Sequence, residues 1–200
     1  MASLDERSVL TDPFEQFNKW FQEAQSSQLL EPNAMVISTQ SLDQGVSSRT
    51  VLLKGLDDEG FVFYTNYDSQ KGQELAANPS CSILFPWLQL ERQVIVKGTA
   101  KKISREESAV YFLIRPRQSQ IGAHVSNQSS VIPNREFLES RQAELEAEYE
   151  GKEIPLPDYW GGYRIIPTCF EFWQGRSSRL HDRLVFTKQD DNWNLSRLSP

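Results

Sequence analysis

Five short segments, AMVIST (residues 34–39), SSRTVLLK (47–54), GFVFYT (60–65), SCSILFPW (80–87) and RQVIVKGTAKKI (92–103), decide the fold. They are rich in β-branched and aromatic residues, and turn formers separate them at Asp43 to Gly45, Asp57 to Gly60 and Asn78-Pro79. This pattern predicts an antiparallel meander. Five strands in succession predict a barrel or a sandwich.

Helices flank and interrupt this run. Asp12, Pro13 and Glu15 supply an N-cap, a proline at the first helical position and an acid three residues after the cap. Phe14, Phe17, Phe21 and Ala24 then recur at helical spacing to about Ser27. Ser69 can cap a short helix through Ala77. Ser104 and Glu107 form a capping box for one that ends at Arg115 before Pro116, and Asn134 starts a long one that stops at Gly151. Strands return at 162–173, 182–188 and 193–198. The order predicts an α+β domain built on a β-barrel.

Two hundred residues suit a single domain, because a chain of this length buries roughly 70% of its unfolded surface. The net charge of −6 argues against a general nucleic-acid binder. No run of about 18 apolar residues is present to span a membrane, and MASLDERSVLTDPF reads as neither a secretory nor a transit signal, so a soluble, cytoplasmic protein is expected. Cys81 and Cys169 lie in apolar contexts that fit buried thiols, and no metal-spaced cluster accompanies them. His124 stands alone and reads as structural. Trp87, Trp160 and Trp173 read as core, although one of them can border a flat cofactor.

The positive charge is gathered in three acid-free windows: Val46 to Leu56 with Arg49 and Lys54, Ser108 to Arg135 with Arg115 and Arg117, and Phe172 to His181 with Arg176 and Arg179. By contrast, residues 136–158 hold eight acids, as a solvated helical face would. Tyr111 and Arg115 are four apart on one predicted helix, and Ser119 follows the Pro116 break. A phenol, a guanidinium and a hydroxyl can thus surround a phosphate; alternatively Tyr111 is core and Arg115 serves the helix carboxyl end. Period two would put Arg49 and Lys54 on opposite strand faces unless a bulge intervenes. In EFWQGRSSRLHDR (171–183) the same period would put Arg179, His181 and Arg183 on one face, either as a cationic wall for an anionic ring or as a solvated edge with Asp182 paired to an arginine.

The chain resembles the pyridoxamine 5′-phosphate oxidase family. The resemblance runs from DPFEQFNKWFQEA (12–24) to the terminal RLSP, through EPNAM (31–35), SSRTVLLKG (47–55), GFVFYTNYDSQKGQEL (60–75), RPRQSQIGA (115–123), PDYWGGYRI (157–165) and EFWQGRSSRLHDR (171–183). It implies an FMN-binding split β-barrel with peripheral helices, one domain over 1–200 with a C-terminal dimerisation region at about 160–200. The assembly implied is a homodimer in which both chains contact each FMN. The activity implied is oxidation of pyridoxamine and pyridoxine 5′-phosphates to pyridoxal 5′-phosphate, with O2 reduced to H2O2. No membrane, nucleic-acid or metal partner is implied.

Carried over by position, the resemblance implies a flavin site of Arg49, Thr50, Val51, Leu52, Leu53, Lys54, Tyr64, Thr65, Lys71, Gln93, Gln128, Ser129, Trp173 and Arg183. Substrate phosphate would meet Lys54, Tyr111, Arg115 and Ser119, while Arg179, Leu180 and His181 would face the substrate ring, with Arg179 and His181 in the catalytic roles. Four positions depart from the usual pattern: Gln70 in place of Arg, Ile95 in place of Arg, Ile114 in place of Ser and His124 in place of Trp. Gln70 removes one cationic contact to the FMN phosphate, which implies weaker flavin binding. Two other readings stay open, a non-catalytic carrier of flavin or pyridoxal phosphate and a flavin reductase of the same fold; the phosphate trio Tyr111, Arg115 and Ser119 speaks against the second.

Overall fold

The computed structural model describes residues 4–200. Helix α1 (Pro13–Gln25) starts as its cap predicts, with Asp12 Oδ1 accepting from the N–H groups of Phe14 and Glu15 at 2.7 and 3.2 Å. Its buried side chains Phe17, Trp20 and Ala24 pack into the main core. The strands are β1 (Ala34–Ser41), β2 (Gly45–Leu52), β3 (Gly55–Asp57), β4 (Gly60–Asn66), β5 (Ser80–Trp87), β6 (Arg92–Lys102), β7 (Trp160–Gln174), β8 (Asp182–Gln189) and β9 (Asn192–Arg197). Helices α2 (Gln70–Ala77), α3 (Arg105–Ile114), α4 (Arg117–Val125) and α5 (Arg135–Glu148) interrupt them.

All pairings are antiparallel, in the order β2-β1-β5-β6-β7-β4-β3, with β8 on β7 and β9 on β8. Beyond β2 the chain crosses from one end of this path to the other. Leu53 N–H bonds to Asn33 O at 2.9 Å and Lys54 N–H to Val62 O at 2.8 Å, which curls the sheet toward closure. β7 explains the split. One of its edges pairs with β6 along nearly its whole length, while the other is divided between β4 at Trp160 to Ile165 and β8 at Cys169 to Gln174. The architecture is an α+β split β-barrel.

The interior holds Met35, Ile37, Phe61, Phe63, Ile83, Phe85, Val94, Val96, Phe170 and Phe172, every one with 0% exposure. A smaller core of Phe112, Ile121, Leu145, Ile154 and Trp160 joins α3, α4 and α5 to the start of β7. At this junction Gly161 and Gly162 admit close neighbours. A Cβ on Gly161 would stand 2.1 Å from Tyr67 Oη, and one on Gly162 would stand 2.5 Å from Ile103 Cδ1 and 3.0 Å from Tyr64 Cε1.

Two backbone expectations are corrected. The period-two argument separating Arg49 from Lys54 fails because β2 ends at Leu52 and Lys54 belongs to the crossover toward β4. The common face expected for Arg179, His181 and Arg183 is absent, because Ser177–Arg179 forms a tight helical turn with Ser178 and Arg179 at φ of 60° and 62°. Only Arg183 of the three lies on a strand.

Candidate active site

A cavity of about 830 Å3 opens between β2, β4, the start of α2, and helices α3 and α4. Its size suits a cofactor together with a small substrate. Arg49, Lys54, Lys71 and Arg115 line it, and no Asp or Glu is among its lining residues. In a chain of net charge −6 that concentration of cations marks an anion site.

At one end, Lys71 is buried in the first turn of α2, and its Nζ donates to Thr65 Oγ1 and Gln128 Oε1, both at 3.2 Å. Burial, followed by the nearby charge of Arg49, lowers its proton affinity, while Glu74 acts the other way. Arg49 rests on Thr39 Oγ1, on Ser47 Oγ at 2.6 Å and on Glu74 Oε2 at 3.2 Å. Glu74 is buried behind the cavity wall. Burial pushes its carboxyl up, but hydrogen bonds from Thr39, Ser47 and Gln70 and the charge of Arg49 more than offset this and hold it ionised. Ser129, at φ 74°, turns its Oγ to accept from Gln70 N–H at 3.2 Å.

At the other end, α3 stops at Ile114, one residue short of the expected end, so Arg115 is its extended C-cap rather than a helical residue. Tyr111 from the last turn, Arg115 from the cap and Ser119 from the first turn of α4 nevertheless line the same cavity. The Arg115 guanidinium carbon lies 4.6 Å from the Trp160 ring centroid, and its buried Nη1 has no hydrogen-bond partner. Burial without a counter-ion lowers its proton affinity, an effect that Tyr111 partly opposes. A buried guanidinium N–H left unpaired is costly, and an incoming oxyanion removes that cost. Tyr64 stacks on Tyr111 with centroids 4.0 Å apart.

Other residues of the same basic window face elsewhere. Arg117 donates to the carbonyls of Tyr149 and Lys152, and Arg135 pairs with Glu139 on the surface. Leu53, next to the cavity-lining Thr50, Val51 and Leu52, turns its side chain into the core. His124 bonds Pro155 O at 2.7 Å and packs on Tyr149, a structural role. Burial pushes the Cys81 thiol up to about 12 and also raises that of Cys169. Among the described residues no His, Cys, Asp and Glu cluster could hold a metal ion.

The remaining site candidates form a second group at the far end of β7. Gln93, Trp173 and Arg183 are cross-strand neighbours on β6, β7 and β8, so they make one row. His181 packs against Trp173 with ring centroids 4.7 Å apart and a tilt of 42°, its Nδ1 accepting the Arg176 N–H at 3.1 Å. Arg183 donates to Glu171 Oε1 at 2.7 Å, which raises its already high proton affinity. Arg179 and Leu180 are exposed. Asp182 pairs with Arg197 at 2.9 Å and Arg176 at 3.5 Å. None of Gln93, Trp173, Arg179, Leu180, His181 or Arg183 lines the cavity. Trp160 and Trp173 are separated by roughly 40 Å of strand at about 3.3 Å per residue. Sequence reasoning missed the cavity-lining roles of Ser47, Ser48, Asn66, Gly122, Ala123 and Ser126, and it read Trp160 as core, with only the PDYWGGYRI block and the allowance that one tryptophan can border a cofactor pointing to its place in the lining.

Comparison with known proteins bears on the family and the fold. The family model described as pyridoxamine 5′-phosphate oxidase matches residues 21–148, and the one described as the pyridoxine 5′-phosphate oxidase C-terminal dimerisation region matches residues 160–200. A pyridoxine/pyridoxamine 5′-phosphate oxidase of Trichormus variabilis is 54% identical over 201 residues, covering 100% of this chain and 94% of its own. One of Rippkaea orientalis is 57% identical over 191 residues, covering 94% and 90%. Among solved structures, PhzG from Burkholderia lata 383, in complex with tetrahydrophenazine-1-carboxylic acid, superposes with a TM-score of 0.92 at 30% identity, covering 99% of this chain and 98% of that one. With the fold, both family models and full-length relatives in agreement, this chain belongs to the pyridoxamine 5′-phosphate oxidase family.

Proposed function

We propose that the protein is a homodimeric, FMN-dependent oxidase that converts pyridoxamine 5′-phosphate and pyridoxine 5′-phosphate to pyridoxal 5′-phosphate. The observation that carries this reading is the carboxylate-free cavity with four cations, one of them the unpartnered Arg115. Such a donor set fits two phosphate groups. Arg49 and Lys71, with Thr65, Gln128 and Ser129 beside them, suit the phosphate of FMN; Lys54, Tyr111, Arg115 and Ser119 suit that of the substrate.

FMN held there would supply the two-electron acceptor, with O2 as the final oxidant and H2O2 as its product. The chain contributes placement. Arg115 and Ser119 fix the substrate phosphate, and Tyr64 holds Tyr111 against it. The turn with Arg179, Leu180 and His181, remote from the cavity along β7, reaches the cavity of the second protomer and covers the substrate ring. Within that turn His181 Nδ1 accepts a backbone N–H, so the neutral ring carries its proton on Nε2 and offers that atom to a ring substituent. The alcohol substrate leaves as the aldehyde. The amine loses the same two electrons to become an imine, which takes up water and releases ammonia to leave the aldehyde.

The test is direct. Purified protein should be yellow, and pyridoxamine 5′-phosphate added without oxygen should bleach it, with colour returning in air. A flavin that binds but stays yellow would make the protein a carrier, and failure to bind flavin at all would overturn the cofactor assignment.

A further inference from the structure

Arg115 is held differently from the other half-buried arginines. Arg49, Arg92, Arg164 and Arg183 each have a carboxylate within 3.2 Å, and even Arg92, which lies 4.5 Å over the Trp20 ring, also pairs with Glu23 at 2.5 Å. Arg115 has the ring without the carboxylate: its guanidinium carbon is 4.6 Å from Trp160 and 5.7 Å from Phe112. A carboxylate would orient the guanidinium, but it would also cancel the charge and repel an arriving phosphate. An aromatic face orients it and leaves the charge available.

We infer that Trp160 is a positioning residue for the substrate phosphate, holding Arg115 by its indole face where a carboxylate would neutralise it. The inference rests on the reading of Arg115 as the phosphate ligand. Trp160 is well placed for the task, because it is 6% exposed and begins β7 opposite Asn66. Its backbone is fixed at both ends, the N–H bonding to Pro157 O at 3.1 Å and the carbonyl accepting from Arg105 Nη1 at 3.2 Å. Its ring is fixed as well. Tyr64 lies nearly parallel to it at 5.3 Å and 12°, and Phe112 meets it edge-on at 5.2 Å and 67°. The same indole thus touches the guanidinium and the Tyr64–Tyr111 stack, which fixes the spacing between them.

The experiment compares Trp160→Leu, Trp160→Phe, Arg115→Gln and the Trp160→Leu/Arg115→Gln pair as flavin-loaded dimers, with pyridoxamine 5′-phosphate and unphosphorylated pyridoxamine as substrates. Trp160→Leu should raise KM for the phosphorylated substrate about tenfold, the size of a desolvated cation–π contact, with kcat nearly unchanged and KM for pyridoxamine unmoved. Trp160→Phe should restore most of the loss. In the Arg115→Gln background the Trp160 change should add nothing, since the interaction has already gone. Calorimetric titration of the flavin-free dimers with pyridoxal 5′-phosphate and with pyridoxal should give the same ranking without catalysis. Equal losses for both substrates, or multiplicative losses in the double variant, would mean that Trp160 acts only through packing and would overturn the inference. If Arg115→Gln raises KM while Trp160→Leu does not, the inference alone fails. If Arg115→Gln itself leaves KM unchanged, the phosphate reading beneath it fails too.

Discussion

The Gln70 side-chain amide donates to Glu74 Oε1 at 2.9 Å, across one turn of α2. Glu74 is the carboxylate that holds Arg49 from behind, so Gln70 caps its second oxygen with a neutral donor. An arginine at position 70, the residue that the resemblance implies there, would bring a charge to the same rim of the cavity.

Gln70→Arg should therefore tighten FMN binding. A charged donor contributes about 1 kcal/mol more than a neutral one, or roughly fivefold in Kd, and steepens the salt dependence. Fluorescence titration of the flavin-free protein at two salt concentrations measures both. Unchanged affinity and unchanged salt slope would show that position 70 does not reach the flavin phosphate.

Lys71 supplies the opposite trade. Its folded-state proton affinity is lowered by burial, so between that lowered value and the ordinary 10.5 the unfolded chain binds more protons than the folded one. Stability of the flavin-free protein should accordingly rise with pH through that window. Lys71→Met should remove this dependence and raise Tm at neutral pH, by about 2–4 °C for each kcal/mol of relieved burial cost. It should also weaken FMN binding by about tenfold or more. FMN affinity of the unaltered protein should fall as alkaline pH strips the Lys71 proton, and that fall should vanish in the variant. Paired thermal melts and FMN titrations across pH check these outcomes.

Local chemical signals made most of the frame legible from sequence. The Asp12-Pro13 start and the Ser104/Glu107 box appear as read, because capping needs only neighbours in the chain. Helix α4 escaped notice for the converse reason: Pro116 caps it without a side-chain hydrogen bond, and Ile121 is its only buried residue. β3 has three residues, too few for a period of two to register. Among the candidate site residues, Tyr111 and Arg115 were legible from helical spacing. The convergence of Arg49 and Lys54 was not, because it depends on where β2 stops pairing with β1. The RSSRLH turn was misread for a similar reason, since positive φ at Ser178 and Arg179 is set by tertiary context and neither is glycine.

Tight packing at the start of β7 predicts opposite outcomes for two glycines. Gly161→Ala would press a methyl group to within 2.1 Å of Tyr67 Oη and 2.9 Å of Ser108 Oγ, and should cost about 1–3 kcal/mol. Gly122, on α4 beside the cavity, has nothing within 4 Å of an added Cβ, so Gly122→Ala should stabilise the helix by up to about 1 kcal/mol. Denaturant titrations of the two variants measure the contrast. Equal effects would mean that Tyr67 gives way at no cost.

A site assembled from two chains makes a prediction that a site within one chain cannot. If the cavity of one protomer is completed by the Arg179 turn of the other, Arg115→Gln and Arg179→Gln homodimers each carry the same defect in both sites. A mixed dimer is different: one of its sites takes both substitutions, and the other takes neither. Unfolding and refolding the two variants together at equal concentration makes half of the dimers mixed, so about a quarter of all sites should be intact, with activity recovering in proportion. Were each site built from a single chain, every site in a mixed dimer would keep one defect, and mixing would restore nothing. Activity assays before and after co-refolding, with each variant refolded alone as the control, separate the two arrangements.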